Sequence, residues 1–411
     1  MSKQPYSTKQ LSREEFNRIR ESMKYRKKAE QPSAGGYIPI DMGLFLTSRC
    51  NLRCLHCFEW NKDGFMTTAD PSCREKEIPL QKIVECLEYT EPAKTRLYLW
   101  GGEPLLYSQF HELCMLLKKY QRWTTVCTNG LLIDRHLEDL FGIGDHTALL
   151  ISLDGFQEYN DKIRGKGTFD KVISNIHLFQ KEKYPGEISV CTVISDAMIG
   201  HLYDFCEYME TLDINTLYLS FPWYINEETA SLMDQQFQNR FGDILACGTD
   251  ASWHHFTWHI SEELIDPLRS EMKRISEKRW NIRIRFQPAL EPEEIDDLIY
   301  LGDSRFDPEL ELDPGEPYAT IKMIINEFSE HKRYDLMCLM YLGRNIAYTG
   351  FDEVAVDDFC YYADEWRKHE RTGQSINCGC TDPEYLAGKK HIAKWLRLVK
   401  EEVRPDCWVC D

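Results

Sequence analysis

The chain has 411 residues, a formal charge of −18 and 43% apolar residues. That composition is too apolar for global disorder, and the acidic balance disfavours nonspecific nucleic-acid binding, which needs a basic footprint against phosphate. At roughly 150 residues per domain the length suggests two or three domains, although a barrel absorbs more.

The first residues, Met1 to Phe16, are polar and lack the apolar core of a secretory signal. No run approaches the ~20 apolar residues of a membrane helix. A cytoplasmic protein without membrane contact is expected. In a reducing compartment its 16 cysteines read as metal ligands and small buried hydrophobes, not as a disulfide framework.

Residues 1–36 read as an N-terminal extension, with Leu11 to Arg26 as a short surface helix. From Tyr37 a strand–loop–helix pattern repeats. The predicted strands are Ile38–Leu46, Arg96–Trp100, Thr124–Cys127, Leu149–Leu153, Ile188–Ile194 and Thr216–Phe221, each short, apolar and rich in β-formers. Helical periodicity lies between them. Leu80, Ile83, Val84 and Leu87 share a face; Phe110, Leu113, Met115, Leu116 and Leu117 mark a second helix. Val172, Ile173, Ile176 and Phe179 mark a third, and Tyr203, Phe205, Cys206 and Met209 a fourth. Alternating strands and helices imply a parallel α/β sheet with helical crossovers. Six strands suggest a partial barrel over residues 37–225, with its site at the strands' C-terminal ends. Residues 226–335 read as a bridging segment containing a helix over Ser261 to Glu277 and a strand over Ile282–Phe286. Within it, residues 291–317 hold eleven Asp/Glu against one basic residue, the pattern of a solvated acidic loop. Residues 336–411 form a second cysteine-dense unit.

Cys50, Cys54 and Cys57 follow the first strand as C-N-L-R-C-L-H-C. A structural zinc site takes four ligands, usually as two paired halves. Three thiolates on a four-iron cluster instead leave one iron open to an outside ligand.

This spacing resembles the signature of the radical SAM superfamily, in which the open iron of a 4Fe–4S cluster chelates S-adenosylmethionine (SAM). His56 stands where the family usually has an aromatic residue, and is expected near the adenine. Further motifs occur in the family's order: Gly101-Gly102-Glu103-Pro104, Thr128-Asn129-Gly130, Ser152-Leu153-Asp154-Gly155 and Arg164-Gly165-Lys166-Gly167-Thr168-Phe169. The resemblance implies a partial (β/α)6 radical SAM barrel. It also implies SAM contacts from Gly101, Gly102, Glu103, Asn129, Ser152, Asp154 and Arg164. The main chain of the GGE strand end would bind the methionine amino group, with glycines permitting close approach. Ser152 and Asp154 would serve the ribose, and Arg164 the carboxylate, which suits its fork. Taken singly, Gly101-Gly102 is also an ordinary turn, and Arg164 equally a surface ion pair.

The tail, with Cys338, Cys360, Cys378, Cys380, Cys407 and Cys410, is similar to the twitch or SPASM-like extensions of such enzymes. The resemblance implies one auxiliary 4Fe–4S cluster on Cys338, Cys360, Cys407 and Cys410. Cys378 and Cys380 remain open, either as substitutes in that set or as zinc ligands with Cys407 and Cys410. Cys86, Cys114, Cys206, Cys127 and Cys191 read as buried small hydrophobes. His254, His255 and His259 read as packing residues.

The resemblance implies reductive cleavage of SAM to a 5′-deoxyadenosyl radical and hydrogen abstraction from a substrate. A ribosomally made peptide undergoing oxidative modification or crosslinking is expected. An external donor such as flavodoxin or ferredoxin would supply the electron, and a peptide would be recognised through a separate leader-binding protein or without one. The alternatives are a dehydrogenase of an aminocyclitol or sugar, or a nonenzymatic iron–sulfur electron carrier. No side chain is assigned as the catalytic acid or base.

Overall fold

The computed structural model describes residues 41–68, 71–225 and 252–287, with 227, 230, 231 and 234. The N-terminal extension, the acidic loop and all six tail cysteines lie outside the described residues.

Seven strands form one parallel sheet in the order 1 to 7: β1 (Asp41–Phe45), β2 (Arg96–Trp100), β3 (Thr124–Thr128), β4 (Thr147–Ser152), β5 (Glu187–Val193), β6 (Thr216–Ser220) and β7 (Arg283–Gln287). The connecting helices are α1 (Leu80–Tyr89), α2 (Phe110–Tyr120), α3 (Leu137–Ile143), α4 (Gln157–Arg164), α5 (Thr168–Lys181), α6 (Leu202–Thr211) and α7 (Ile265–Glu277). The order never reverses. Crossovers of one hand then place all connecting helices on the same face, which is the logic of a barrel rather than of a doubly wound sheet. Six strands were expected, and the seventh is the Ile282–Phe286 run assigned to the bridge. It pairs in parallel with β6, Leu217 against Ile284 and Tyr218 against Arg285. The helix before it supplies the crossover that makes this pairing possible.

The two faces of the sheet differ sharply. Leu97, Leu99, Val126, Leu149, Ile151, Val190, Leu217, Leu219 and Ile284 are at most 2% exposed and join the core with the helices. Each contributes about 1.5–3 kcal/mol by leaving water. The alternate positions form the opposite, inner face. There Ser152, Cys191, Tyr218 and Arg285 stand side by side in register across β4 to β7, and all four are half-buried.

Helix faces follow the predicted periodicity, with Ile83, Leu87, Phe110, Leu113, Leu117, Val172, Ile176, Phe179, Phe205 and Met209 buried. Met115 is the exception, 61% exposed on the outer side of α2. Cys86, Cys114 and Cys206 are buried as expected, whereas Cys127 and Cys191 are only half-buried and lie on the inner face. Their strand positions alternate out of phase with the helix-packed leucines.

Candidate functional site

The loop leaving β1 carries Cys50, Cys54 and Cys57 to the C-terminal edge of the sheet. Its path is fixed by main-chain bonds. Gly102 N donates to Thr47 O at 2.8 Å and Glu103 N to Arg49 O at 2.7 Å, so the end of β2 lies directly against the start of the cysteine loop. A Cβ on Gly101 would stand 2.5 Å from Thr47 O, and one on Gly102 2.3 Å from Arg49 O. The glycines therefore already serve one close approach inside the protein, that of two backbones. Arg49 adds an ion pair to Glu77 and donates to Leu106 O at 2.6 Å. Trp60 Nε1 donates to Ser48 O at 2.9 Å.

The three thiols share one environment. Leu52 N donates to Cys50 Sγ at 3.4 Å and Trp60 N to Cys57 Sγ at 3.2 Å. Arg164 Nη1 lies 3.9 Å from Cys54 Sγ. Burial pushes the Cys50 thiol up to about 12 and raises Cys54 and Cys57 as well, with Arg164 opposing the effect at Cys54. Metal binding at these thiols must therefore displace protons. Among the described residues, no set of three or more His, Cys, Asp or Glu is placed to hold a single metal ion. A cluster asks for a different arrangement, since each thiolate bonds a different iron. Three cysteine donors with N–H groups directed at their sulfurs fit such a cluster in ligand chemistry.

Glu103 is 1% exposed, and its carboxylate is occupied by protein donors. Thr128 Oγ1 donates at 2.7 Å, Asn129 N at 2.8 Å and Leu105 N at 3.1 Å. Burial lifts its pKa to about 6 against these bonds. Asn129 Nδ2 in turn donates to Asn51 Oδ1 at 2.7 Å. Glu103 and Asn129 thus tie β3 to the cysteine loop.

The end of β4 provides the second anchor. Asp154 is fully buried; its Oδ2 accepts from Arg164 Nε at 2.6 Å and lies 2.7 Å from His56 Nε2, while its Oδ1 accepts from Val193 N at 3.0 Å. Burial alone would raise the Asp154 pKa, but the Arg164 guanidinium and His56 hold it well below the usual carboxylate range. Leu55 N donates to Ile163 O at 3.0 Å, docking the loop on the last turn of α4. His56, expected near the adenine, faces Asp154 and the edge of Trp258, 6.0 Å between centroids. No local signal in the sequence pairs residues 56 and 154, which lie on different strand ends. Asn160 was likewise missed. It is buried, and its Oδ1 accepts from Asp154 N at 3.0 Å.

Beside the loop, Phe58 stacks on Phe256 at 4.4 Å and lies 5.8 Å from Trp223. His254 pairs with Asp234 at 2.8 Å, an acidic partner that sequence spacing had not suggested. On the inner face, Arg283 is satisfied by Glu187 at 2.6 Å and Thr216 at 2.9 Å. One step toward the site, Arg285 donates only to the neighbouring Ile284 O, at 3.5 Å, among the bonds of the described residues.

Residues 44–212 match the Radical SAM superfamily model. The chain carries a radical SAM domain. Fe-coproporphyrin III synthase of Methanosarcina barkeri is 31% identical over 139 residues, 33% of this chain and 33% of that protein. Mycofactocin maturase MftC of Mycolicibacterium smegmatis is 28% identical over 194 residues, 46% of this chain and 47% of that protein. The chain thus spans between a third and a half of these curated relatives. Among solved structures, Streptococcus suis SuiB bound to S-adenosylmethionine is similar with a TM-score of 0.46 and 15% identity, over 71% of this chain and 62% of SuiB. The radical SAM match covers the cysteine loop and the ends of β2 to β4. No helix among the described residues is long and apolar enough to cross a membrane.

Proposed function

We propose that this protein is a radical SAM enzyme that cleaves S-adenosylmethionine reductively and takes a hydrogen atom from a substrate held over the inner face of the sheet. The observation that carries this reading is the Cys50–Cys54–Cys57 loop seated by main-chain bonds on the Gly101–Glu103 strand end. When bound, the cluster and SAM supply the electron and the 5′-deoxyadenosyl radical. The residues of this chain hold and shield them. Cys50, Cys54 and Cys57 ligate three irons. The main chain at Gly101, Gly102 and Glu103 would hold the amino group, and Ser152 offers a hydroxyl from the inner face of β4. Asn129 keeps the neighbouring loop in place. Phe58, Trp223 and Phe256 form an aromatic wall beside the loop, suited to excluding water from a reactive centre.

The substrate we favour is a ribosomally made peptide undergoing oxidative modification or crosslinking. The support is the aromatic wall above β6, which gives side chains of a peptide broad contact, and Arg285, a cation on the inner face. One auxiliary 4Fe–4S cluster on Cys338, Cys360, Cys407 and Cys410 belongs to this reading, with Cys378 and Cys380 as the competing ligands. An electron donor such as flavodoxin or ferredoxin and a separate leader-binding protein complete it. A second reading, a small-molecule oxidation, is favoured by the relative named for making a porphyrin.

Anaerobic reconstitution with iron and sulfide, followed by dithionite and SAM, tests the activity. We expect 5′-deoxyadenosine, measured by chromatography. We also expect Cys54→Ala to abolish it and to remove about four irons per chain. Retention of 5′-deoxyadenosine formation in that variant would refute the assignment.

A further inference from the structure

We infer that Arg285 binds a carboxylate of the substrate, so that the substrate carries an acidic group away from its reacting C–H bond. This rests on the radical SAM reading above, which makes the inner face of the sheet the substrate's side. Arg283 and Arg285 lie two residues apart on the same face of β7, and they differ in one respect. Arg283 is neutralised: Nη2 donates to Glu187 at 2.6 Å and Nε to Thr216 Oγ1 at 2.9 Å. Arg285 is half-buried as well, yet among the described residues its guanidinium meets no carboxylate. Its hydrogen bond is a 3.5 Å contact to the adjoining Ile284 O, which is marginal. Its neighbours in register supply no compensating charge. Tyr218 stands opposite on β6 and Cys191 beyond it on β5. Burial raises the pKa of both, so they stay neutral. One row nearer the site, Ser220 faces Gln287, again without charge. A partly desolvated cation without an anion costs free energy, and a fold keeps such a group where a ligand completes it.

One uncancelled guanidinium matches one monoanion, and its planar fork takes the two oxygens of a carboxylate side by side. A phosphate dianion would leave charge over, and the row from Ser152 to Arg285 offers no second cation. Ser152 on β4 and Arg285 on β7 stand roughly 14 Å apart along the sheet, at about 4.8 Å per strand. A substrate bound at Arg285 and reacting beside Ser152 has to bridge that width, as a peptide with an acidic residue does. Phenylglyoxal labelling of guanidinium groups in the reconstituted protein, mapped by mass spectrometry, tests this. Arg285 is expected to be modified and Arg283 to be spared. A synthetic peptide amide with one glutamate should protect Arg285 at about one-tenth the concentration that its glutamine counterpart needs, the worth of a charge-assisted hydrogen bond. SAM alone should not protect it. Equal protection by the two peptides, protection by SAM alone, or an Arg285 that is not labelled overturns the inference. So does better protection by inorganic phosphate than by the glutamate peptide. Protection by glutarate as strong as the peptide's would keep the carboxylate site and assign it to a small-molecule substrate. Arg285→Gln should melt no lower than the parent, because no native partner is lost, whereas Arg283→Gln should melt lower. Equal losses would show Arg285 to be structural and overturn the inference too. Labelling and melting do not depend on SAM cleavage, so a failure to form 5′-deoxyadenosine would overturn the radical SAM reading separately.

Discussion

At Gly102 the side chain is excluded by the cysteine loop itself. A methyl group there would lie 2.3 Å from Arg49 O and 2.6 Å from Ser48 O, both main-chain atoms that cannot swing aside. Gly102→Ala must push the loop away from β2 or break the Gly102–Thr47 bond. We expect a loss of at least about 2 kcal/mol of stability, in the range of overpacked sites, and reduced iron uptake on reconstitution. Chemical denaturation and iron analysis check it; native stability with full iron would show that the loop is not held this way. The motif Gly-Gly-Glu was legible in the sequence, but part of its purpose was not. Sequence suggested glycines cleared for a ligand, while the structure shows them cleared first for Thr47 and Arg49. Glu103 was expected to meet a ligand through the main chain of its strand end, and its side-chain oxygens are bonded to Thr128, Asn129 and Leu105. Contacts between residues 47 and 101 or 56 and 154 leave no periodic trace, because they join the ends of different strands.

Among the elements, the α4–α5 corner shows how a motif is shared between chemistry and folding. Helix α5 begins after Gly167, which has no side chain to cap it. Asp161, from α4, takes over: Gly167 N donates to it at 2.6 Å and Phe169 N at 3.0 Å, with Thr168 Oγ1 at 3.2 Å. Burial alone would raise the Asp161 pKa, but these bonds bring it below the ordinary value. A carboxyl with a depressed folded pKa contributes stability that is present above its unfolded value of about 4 and is lost as pH falls through the folded value. Asp161→Asn should therefore lower stability by about 1 kcal/mol at pH 7, as for a lost helix cap, and by less near pH 3. Thermal melts at the two pH values test this, and a gap independent of pH contradicts it. Strands and helices themselves were readable from alternation and from the 3.6-residue period. Helices α3 and α4 were not, being short and, in α4, largely polar. Strand β7 was visible as an apolar run, but its place in the sheet was not, since RIRFQ alternates like an edge strand of any domain.

For the whole molecule, the sheet divides its labour between its ends. At the N-terminal end of β2 and β3, Arg122 is fully buried and bonds Leu87 O at 2.6 Å, Thr95 O at 3.2 Å, Thr90 Oγ1 at 3.1 Å and Glu91 at 2.8 Å. It closes the bottom of α1, β2 and β3, far along the strands from the cysteine loop. Arg122→Met strands two buried carbonyls and should cost about 3 kcal/mol, little of it from half-exposed Glu91. The reconstituted variant should melt earlier yet keep its iron and its SAM cleavage per folded molecule. A selective loss of SAM cleavage at full folding would show that the two ends are coupled. Such a division, stability at one end and chemistry at the other, is what parallel β/α sheets impose, because every crossover loop after a strand opens on the same side.

By itself the sequence determined the cysteine loop, the order of its motifs and the α/β alternation. Three cysteines at that spacing and the motifs in order are local facts, and periodicity is set by the geometry of each element alone. Tertiary structure decided the seventh strand, the burial of Asp154 against Arg164 and His56, and the inner-face row from Ser152 to Arg285. Those follow from register and crossover, which bring together side chains far apart in the chain and let burial fix which of them pair.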